Sequence, residues 1–218
     1  MPVIYNKDIN DSTILAVWKI EESEAELLSG LQLKQHELDF VASLNSGKRL
    51  LQWLSTRLLL RRMLNTQEYI DCRMDIHGKP YLVNFDYYIS LSHTYDYASV
   101  MIGKHDSVGV DIEQVKTKIH LVQQKFLSPE ELAMPYVKDR TQGLYACWCV
   151  KEAVYKWYGK KGLEFKKHIH IQPFDLQDEG TMTVIVELPE GMRTLTVYYF
   201  NTIPGYMLGY VVAPVHAG

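Results

Sequence analysis

The sequence predicts an α+β fold of two similar-sized halves, and three observations lead there. Helical and strand signals run in blocks, helices then strands, then helices then strands, rather than in strict alternation. The 218 residues suffice for one long domain or two small ones. A boundary falls near residues 104–107, with no repeat or low-complexity linker elsewhere, which divides the chain into halves 1–105 and 106–218.

Residues 14–20 (Ile-Leu-Ala-Val-Trp-Lys-Ile) read as the opening strand, and residues 21–30 and 34–44 as two helical pieces, the first closed by glycine. Asn45 or Ser46 would cap a longer helix over residues 47–64. Leu50, Trp53, Leu54, Leu58, Leu60 and Leu64 form a broad apolar sector of that helix, into which Arg57 and Arg61 fall. A guanidinium placed there needs a partner, because an unpaired buried charge is costly. Either both arginines snorkel or pair with a core carboxylate, or Arg57 reaches an anion held against the helix. Residues 72–76 read as a short strand, 77–80 as a turn, and 87–91, 98–102 and 108–113 as consecutive strands, with Ser92-His93-Thr94 where the first of these three ends. Ser128-Pro129 starts a helix, serine as cap and proline at the first position. A further helix contains Trp148 to Tyr158 and stops at Gly159; the tail returns to strands at 181–188, 194–200 and 207–212.

An apolar fraction of 47% and a charged fraction of 22% are those of an ordinary soluble globular protein. The net charge of −3 argues against a dedicated nucleic-acid binder. Cys72, Cys147 and Cys149 are odd in number and lack framework spacing, which points to free thiols in a reducing compartment. The N-terminus has no basic region followed by an apolar core, and the leucine-rich stretch 50–64 is broken by Arg57, Arg61 and Arg62, so neither a signal peptide nor a membrane span is expected. The expected location is the cytoplasm.

Two stretches carry the chemistry. In Ser107-Val-Gly109-Val-Asp111-Ile-Glu113 the valines and isoleucine alternate with glycine and two carboxylates, the period of a strand with one buried face. Asp111 and Glu113 then point the same way, with open space expected beside Gly109. In Trp148-Cys-Val-Lys151-Glu152-Ala-Val-Tyr-Lys156 the spacing of four puts Trp148, Glu152 and Lys156 on one side of a helix. A helix docked over the strand end would bring three carboxylates and a lysine together, the raw material of a divalent-metal site that handles phosphates. Each piece also has an ordinary reading. D-x-E suits the polar face of an edge strand, Lys-Glu a solvated helix face, His93 a structural histidine, and Gly-Lys-Pro a plain turn.

Taken together, Gly78-Lys79-Pro80, Ile89-Ser-Leu-Ser92-His93-Thr94, Gly109-Val-Asp111-Ile-Glu113, Lys125-Phe-Leu-Ser-Pro-Glu-Glu131 and Trp148-x-x-Lys151-Glu152-Ala-x-x-Lys156 resemble the 4′-phosphopantetheinyl transferase superfamily in order and spacing. The length resembles its long, pseudo-dimeric class (the type that activates surfactin synthetase) rather than the trimeric class of about half this length. The family often has Phe-Asn before the Ser-His pair, where this chain has Ile89-Ser90, and of its upstream basic residues only Arg57 is anchored here by a motif; Lys48 and Arg49 are looser candidates. The resemblance implies two α/β halves with the site between them, and a monomer. It implies Mg²⁺-dependent transfer of the phosphopantetheine arm of coenzyme A to a serine of an apo acyl or peptidyl carrier protein, with release of adenosine 3′,5′-bisphosphate. Asp111, Glu113 and Glu152 would be metal ligands. Asp111, Glu152 and Lys156 would be catalytic. Arg57, Lys79, Ser92, His93, Lys151 and Lys156 would bind coenzyme A. The general base stays open, with Glu152 one possibility. Lys116, Lys118, Leu121, Lys125 and Phe126, on a helix after the D-I-E strand, would face the carrier. The rival readings are a metal-dependent nuclease or phosphohydrolase, and a coenzyme A- or carrier-binding module without catalysis.

Overall fold

The computed structural model describes residues 3–44, 47–135 and 140–214; the expected caps Asn45 and Ser46 lie outside them. It is a mixed α/β structure. In chain order the strands and helices are β1 (Val3–Asn10), β2 (Thr13–Lys19), α1 (Glu24–Ser29), α2 (Gln35–Ser43), α3 (Lys48–Met63), β3 (Cys72–Met74), β4 (Pro80–Leu82), β5 (Tyr88–Thr94), β6 (Tyr97–Gly103) and β7 (Asp106–Gln114), followed by α4 (Gln123–Phe126), α5 (Pro129–Leu132), α6 (Arg140–Tyr158), α7 (Phe165–His168), β8 (Ile169–Ile171), β9 (Glu179–Leu188), β10 (Gly191–Phe200) and β11 (Tyr206–Pro214). Two antiparallel sheets, ordered β1-β2-β6-β5 and β7-β11-β10-β9-β8, hold all the strands except the small β3–β4 pair.

The period-two pattern of β2 explains how the sheets stack. Ala16 and Trp18 enter a core with Leu54, Leu58 and Leu59 of α3. Leu15 and Val17 point the other way, into a core shared with Val108, Val110 and Ile112 of β7 and Leu208 and Tyr210 of β11. The far face of the second sheet packs through Met207 and Val211 on Val150, Ala153 and Val154 of α6. The layers are therefore α3, sheet, sheet, α6, with a core in each gap.

β1 was not expected. Its side chains are mostly exposed on the sheet edge, so its sequence lacks the alternation that betrays a half-buried strand. β5 also runs further than expected and contains Ser92, His93 and Thr94 rather than ending before them. Its side chains meet the edge of the other sheet. The hydroxyls of Ser90, Ser92 and Thr94 accept from the backbone N–H groups of Val110, Ile112 and Gln114 on β7, at 3.0, 3.3 and 3.4 Å. Edge N–H groups that lack a strand partner are satisfied in this way. The region after β7 is not one amphipathic helix but a 3₁₀ turn (Thr117–Leu121) followed by α4, with Phe126 buried and Leu121 86% exposed. Phe126 packs edge-on against Trp148, so it belongs to the core rather than to a docking face.

Candidate active site

The local sequence of β7 places the site. Val108, Val110 and Ile112 bury one face in the inter-sheet core, which turns Gly109, Asp111 and Glu113 toward α6. The space expected beside Gly109 is filled by α6: a Cβ on that glycine would lie 2.0 Å from the Ala153 carbonyl oxygen. On the neighbouring β11, a Cβ on Gly209 would meet the Cys149 backbone at 2.7 Å. These two glycines let the helix sit down on the sheet, which carries Glu152 and Lys156 to the D-x-E strand.

There Lys156 donates to Asp111 Oδ1 at 2.8 Å, and Ser92 donates to the same oxygen at 2.8 Å. Asp111 is 4% exposed, and its Oδ2 is buried with no hydrogen-bond partner. Thr94 donates to Glu113 Oε2 at 3.3 Å. Burial, then the nearby Asp111 carboxylate, raises Glu113 above the usual carboxylate range, against Thr94, Trp148 and Lys156. The same two causes, with Glu113 adding to them, push Glu152 up to about 7, against Lys156. Burial first, and then mutual repulsion among the clustered carboxylates, sets both shifts. Beneath them the buried Cys149 thiol is pushed well above its ordinary value, by burial first and then by Asp111 and Glu113, so it is not a nucleophile.

A pocket of about 250 Å³ opens beside this cluster, walled by Trp53 and Arg57 of α3, Lys79, His93 of β5, and Tyr155 and Lys156 of α6. Arg57 is 9% exposed, its guanidinium lies 5.0 Å from the Trp53 ring centroid, and its Nε is buried without a partner. Arg61, the other arginine of that helix sector, donates to the carbonyls of Gln67 and Glu68, so it is structural. His93 is open to solvent at the pocket wall, yet the protein around it, followed by Lys156, holds it below the usual histidine range. Lys79 follows a tight turn in which Asp75 accepts from the N–H groups of His77 and Lys79. Its ammonium donates to Ser107 Oγ at 3.1 Å and the Trp157 carbonyl at 2.8 Å, and burial lowers it to about 8.

The structure thus brings together Asp111, Glu113, Glu152, Lys156, His93, Arg57 and Lys79. It does not bring Lys151 to them. Lys151 is wholly buried and donates to Glu131 at 2.7 Å and to the carbonyls of Phe165 and Ile169 at 2.8 and 2.7 Å. On a helix it stands about 100° from Glu152, which sends it into the core beneath the C-terminal sheet. Ser92 also differs from expectation: its hydroxyl is buried and engaged with Asp111 and Ile112 rather than facing the pocket. Ser107 and Thr94 were given no role from sequence. For Thr94 a signal existed, the period-two run Ser90-x-Ser92-x-Thr94 opposite the D-x-E strand.

Asp111, Glu113 and Glu152 supply hard oxygen donors, and the orphaned Asp111 Oδ2 is a buried acceptor awaiting a partner, so the residues suit Mg²⁺. Among the described residues no three acidic, histidine or cysteine side chains close into a ready-made cage. Mg²⁺ ordinarily takes only one or two carboxylates and fills its shell with water and substrate phosphate oxygens.

Comparison with known proteins picks out the same part of the chain. The family model of the 4′-phosphopantetheinyl transferase superfamily matches residues 107–211, from the D-x-E strand through α6 to β11. A Bacillus subtilis 4′-phosphopantetheinyl transferase is 26% identical over 141 residues, 63% of this chain and 60% of that protein. A Haemophilus influenzae protein, described provisionally as a 4′-phosphopantetheinyl transferase, is 28% identical over 88 residues, 38% of this chain and 37% of that protein. The matches span less than two thirds of either relative's length. The stretch that carries both the carboxylate strand and the helix above it, residues 107–211, is a domain of the 4′-phosphopantetheinyl transferase superfamily.

Proposed function

We propose that this protein transfers the 4′-phosphopantetheine arm of coenzyme A to a serine hydroxyl of an apo acyl or peptidyl carrier protein and releases adenosine 3′,5′-bisphosphate, in a Mg²⁺-dependent reaction. The observation that carries the reading is the junction of Asp111, Glu113, Glu152 and Lys156 with a pocket walled by Arg57, Lys79 and His93. Carboxylates alone would suit many hydrolases. Carboxylates beside a cationic, partly apolar pocket suit an anionic nucleotide whose pyrophosphate ends at them.

Asp111, Glu113 and Glu152 would hold the ion. When bound it supplies charge neutralisation to a pyrophosphate whose oxygens gain charge during attack. Lys156, whose ammonium has donors to spare beside Asp111, would meet a phosphate oxygen. Arg57, its guanidinium over the Trp53 ring, and His93, both lining the pocket, would add donors to the anion. In the metal-free site Glu152 is held at about 7, so taking up the ion and giving up that proton would go together. The cluster provides no serine nucleophile of its own, because the partner brings it. The equivalent placement of a long helix on an antiparallel sheet in each half, α3 on one and α6 on the other, supports the pseudo-dimeric arrangement with halves 1–105 and 106–218. Among the described residues no helix is long and apolar enough to cross a membrane.

The test is to mix the protein with Mg²⁺, coenzyme A and a panel of apo carrier proteins and to weigh the carriers. The expected result is a mass gain of one phosphopantetheine on at least one carrier, abolished by Asp111→Ala. Hydrolysis of generic phosphoesters without any carrier modification would favour a phosphohydrolase. Calorimetric binding of coenzyme A without transfer would favour a binding module.

A further inference from the structure

We infer that Ser92 and Thr94 are positioning residues that aim the carboxylates of Asp111 and Glu113, an inference that rests on the metal reading above. A hydroxyl has one proton and two acceptor positions. Ser92 Oγ accepts from Ile112 N at 3.3 Å and faces Asp111 Oδ1 at 2.8 Å. The carboxylate can only accept, so the single proton points to Asp111. Thr94 repeats the arrangement two residues on, accepting from Gln114 N at 3.4 Å and donating to Glu113 Oε2 at 3.3 Å. Ser90 begins the series by accepting from Val110 N at 3.0 Å, but the residue before Val110 is Gly109, which has no side chain to hold.

The repeat thus couples each hydroxyl to one backbone N–H and to the side chain just before it. The edge of one sheet fixes both the height of β7 and the rotation of its carboxylates. For Asp111 the result is specific. Oδ1 is held by Ser92 and Lys156 while Oδ2 stays buried and unpartnered, so Oδ2 is the oxygen presented to an ion. Ser90 provides a control within the same molecule, since it accepts from β7 in the same way and, among the described residues, makes no hydrogen bond to a carboxylate.

The experiment titrates Mn²⁺ alone into the full chain and follows free Mn²⁺ by electron paramagnetic resonance, with thermal unfolding in parallel. Ser92→Ala and Thr94→Val are each expected to weaken Mn²⁺ binding by about tenfold or more, Thr94→Ser to stay within about twofold of the unaltered protein, and Ser90→Ala to lose thermal stability while keeping Mn²⁺ affinity. Thr94→Val keeps side-chain volume, so it carries the test if Ser92→Ala fails to fold. Unchanged Mn²⁺ affinity in Ser92→Ala and Thr94→Val would overturn the positioning role and leave the metal reading standing. An equal loss in Ser90→Ala would also overturn it, since the hydroxyls would then only hold the sheets together. Failure of the unaltered protein to bind Mn²⁺ would overturn the metal reading and this inference with it.

Discussion

Gly109 and Ala153 are in such close contact that the strand and the helix touch backbone to backbone, with a Cβ on the glycine falling 2.0 Å from the Ala153 carbonyl oxygen. Neither partner atom is the flexible end of a side chain, so an added methyl has to move α6 or β7. Gly109→Ala is expected to destabilise the fold by about 1–3 kcal/mol or more, as overpacking does. It would also lower the turnover of the folded protein, because Glu152 and Lys156 ride on the displaced helix. Urea unfolding and rates at saturating coenzyme A check the two effects. A Gly109→Ala protein of unchanged stability would mean that the contact relaxes without moving the helix.

Lys151 tests whether adjacency in a motif means adjacency in a site. It shares the Lys-Glu pair with Glu152, yet its ammonium is closed off with Glu131 and two carbonyls. Glu131 in turn accepts from Ile171 N at 2.9 Å and from Ser128 N at 2.8 Å, so the ion pair fastens α5, α6 and β8 together. Lys151→Met is expected to cost about 3–5 kcal/mol by leaving Glu131 buried without its counter-ion, with the KM for coenzyme A unchanged in the protein that folds. A raised KM at unaltered stability would return Lys151 to the substrate.

What was legible in the sequence follows the physics of each element. Strand β7 and helix α6 announced themselves because each buries one face and keeps a periodic pattern, and from that pattern Asp111, Glu113, Glu152 and Lys156 converge as expected. Strand β1 did not, because an exposed edge strand is under no burial constraint that would leave a period behind. The burial of Lys151 was hidden because a lysine looks like surface until its partner is known, and Glu131 lies twenty residues away in the sequence. The turn of Ser92 away from the pocket was hidden because β5 continues three residues past its apparent end. Side-chain direction in a strand depends on register, and register between sheets that meet edge to edge leaves no local signal.

Glu152 gives the fold a pH dependence of defined sign. Its folded value of about 7 lies above the ordinary 4.5, so the native state holds this proton more tightly than the unfolded chain. As pH rises from about 4.5 to about 7 the unfolded chain gives up its proton first, and stability falls across that window. Glu152→Gln removes this term. In metal-free protein the variant is expected to gain thermal stability over the unaltered chain at pH 8 and to show little or none of that gain at pH 5. Differential scanning fluorimetry in a chelator at both values checks it. A gain confined to pH 5 would show that Glu152 is ionised more easily in the fold than outside it, which is the opposite of a crowded carboxylate cluster.

Lys79 joins the two ends of the site, and its chemistry separates clamp from substrate contact. The ammonium belongs to the turn before β4, while its acceptors are Ser107 on β7 and the Trp157 carbonyl in the last turn of α6. Ser107 donates to the same carbonyl at 3.0 Å, so lysine and serine together satisfy the end of the helix. Gly159, just beyond, has a φ of +71° and would place a Cβ 2.1 Å from the lysine stem, so the chain has made room for that stem at the exit of α6. Lys79→Met keeps the apolar stem and removes the ammonium. It is expected to cost about 1–3 kcal/mol, the loss of two hydrogen bonds from a charged donor. The folded value of about 8 lies below the ordinary 10.5, so the native state sheds this proton first as pH rises. Between about 8 and about 10.5 the unfolded chain binds the extra proton, and the unaltered protein should gain stability relative to Lys79→Met through that window. Denaturant unfolding at pH 7.5 and pH 10 measures the difference. A Lys79→Met protein that loses no stability at either pH, but needs more than about tenfold more coenzyme A to reach half-saturation, would show that the ammonium serves the substrate.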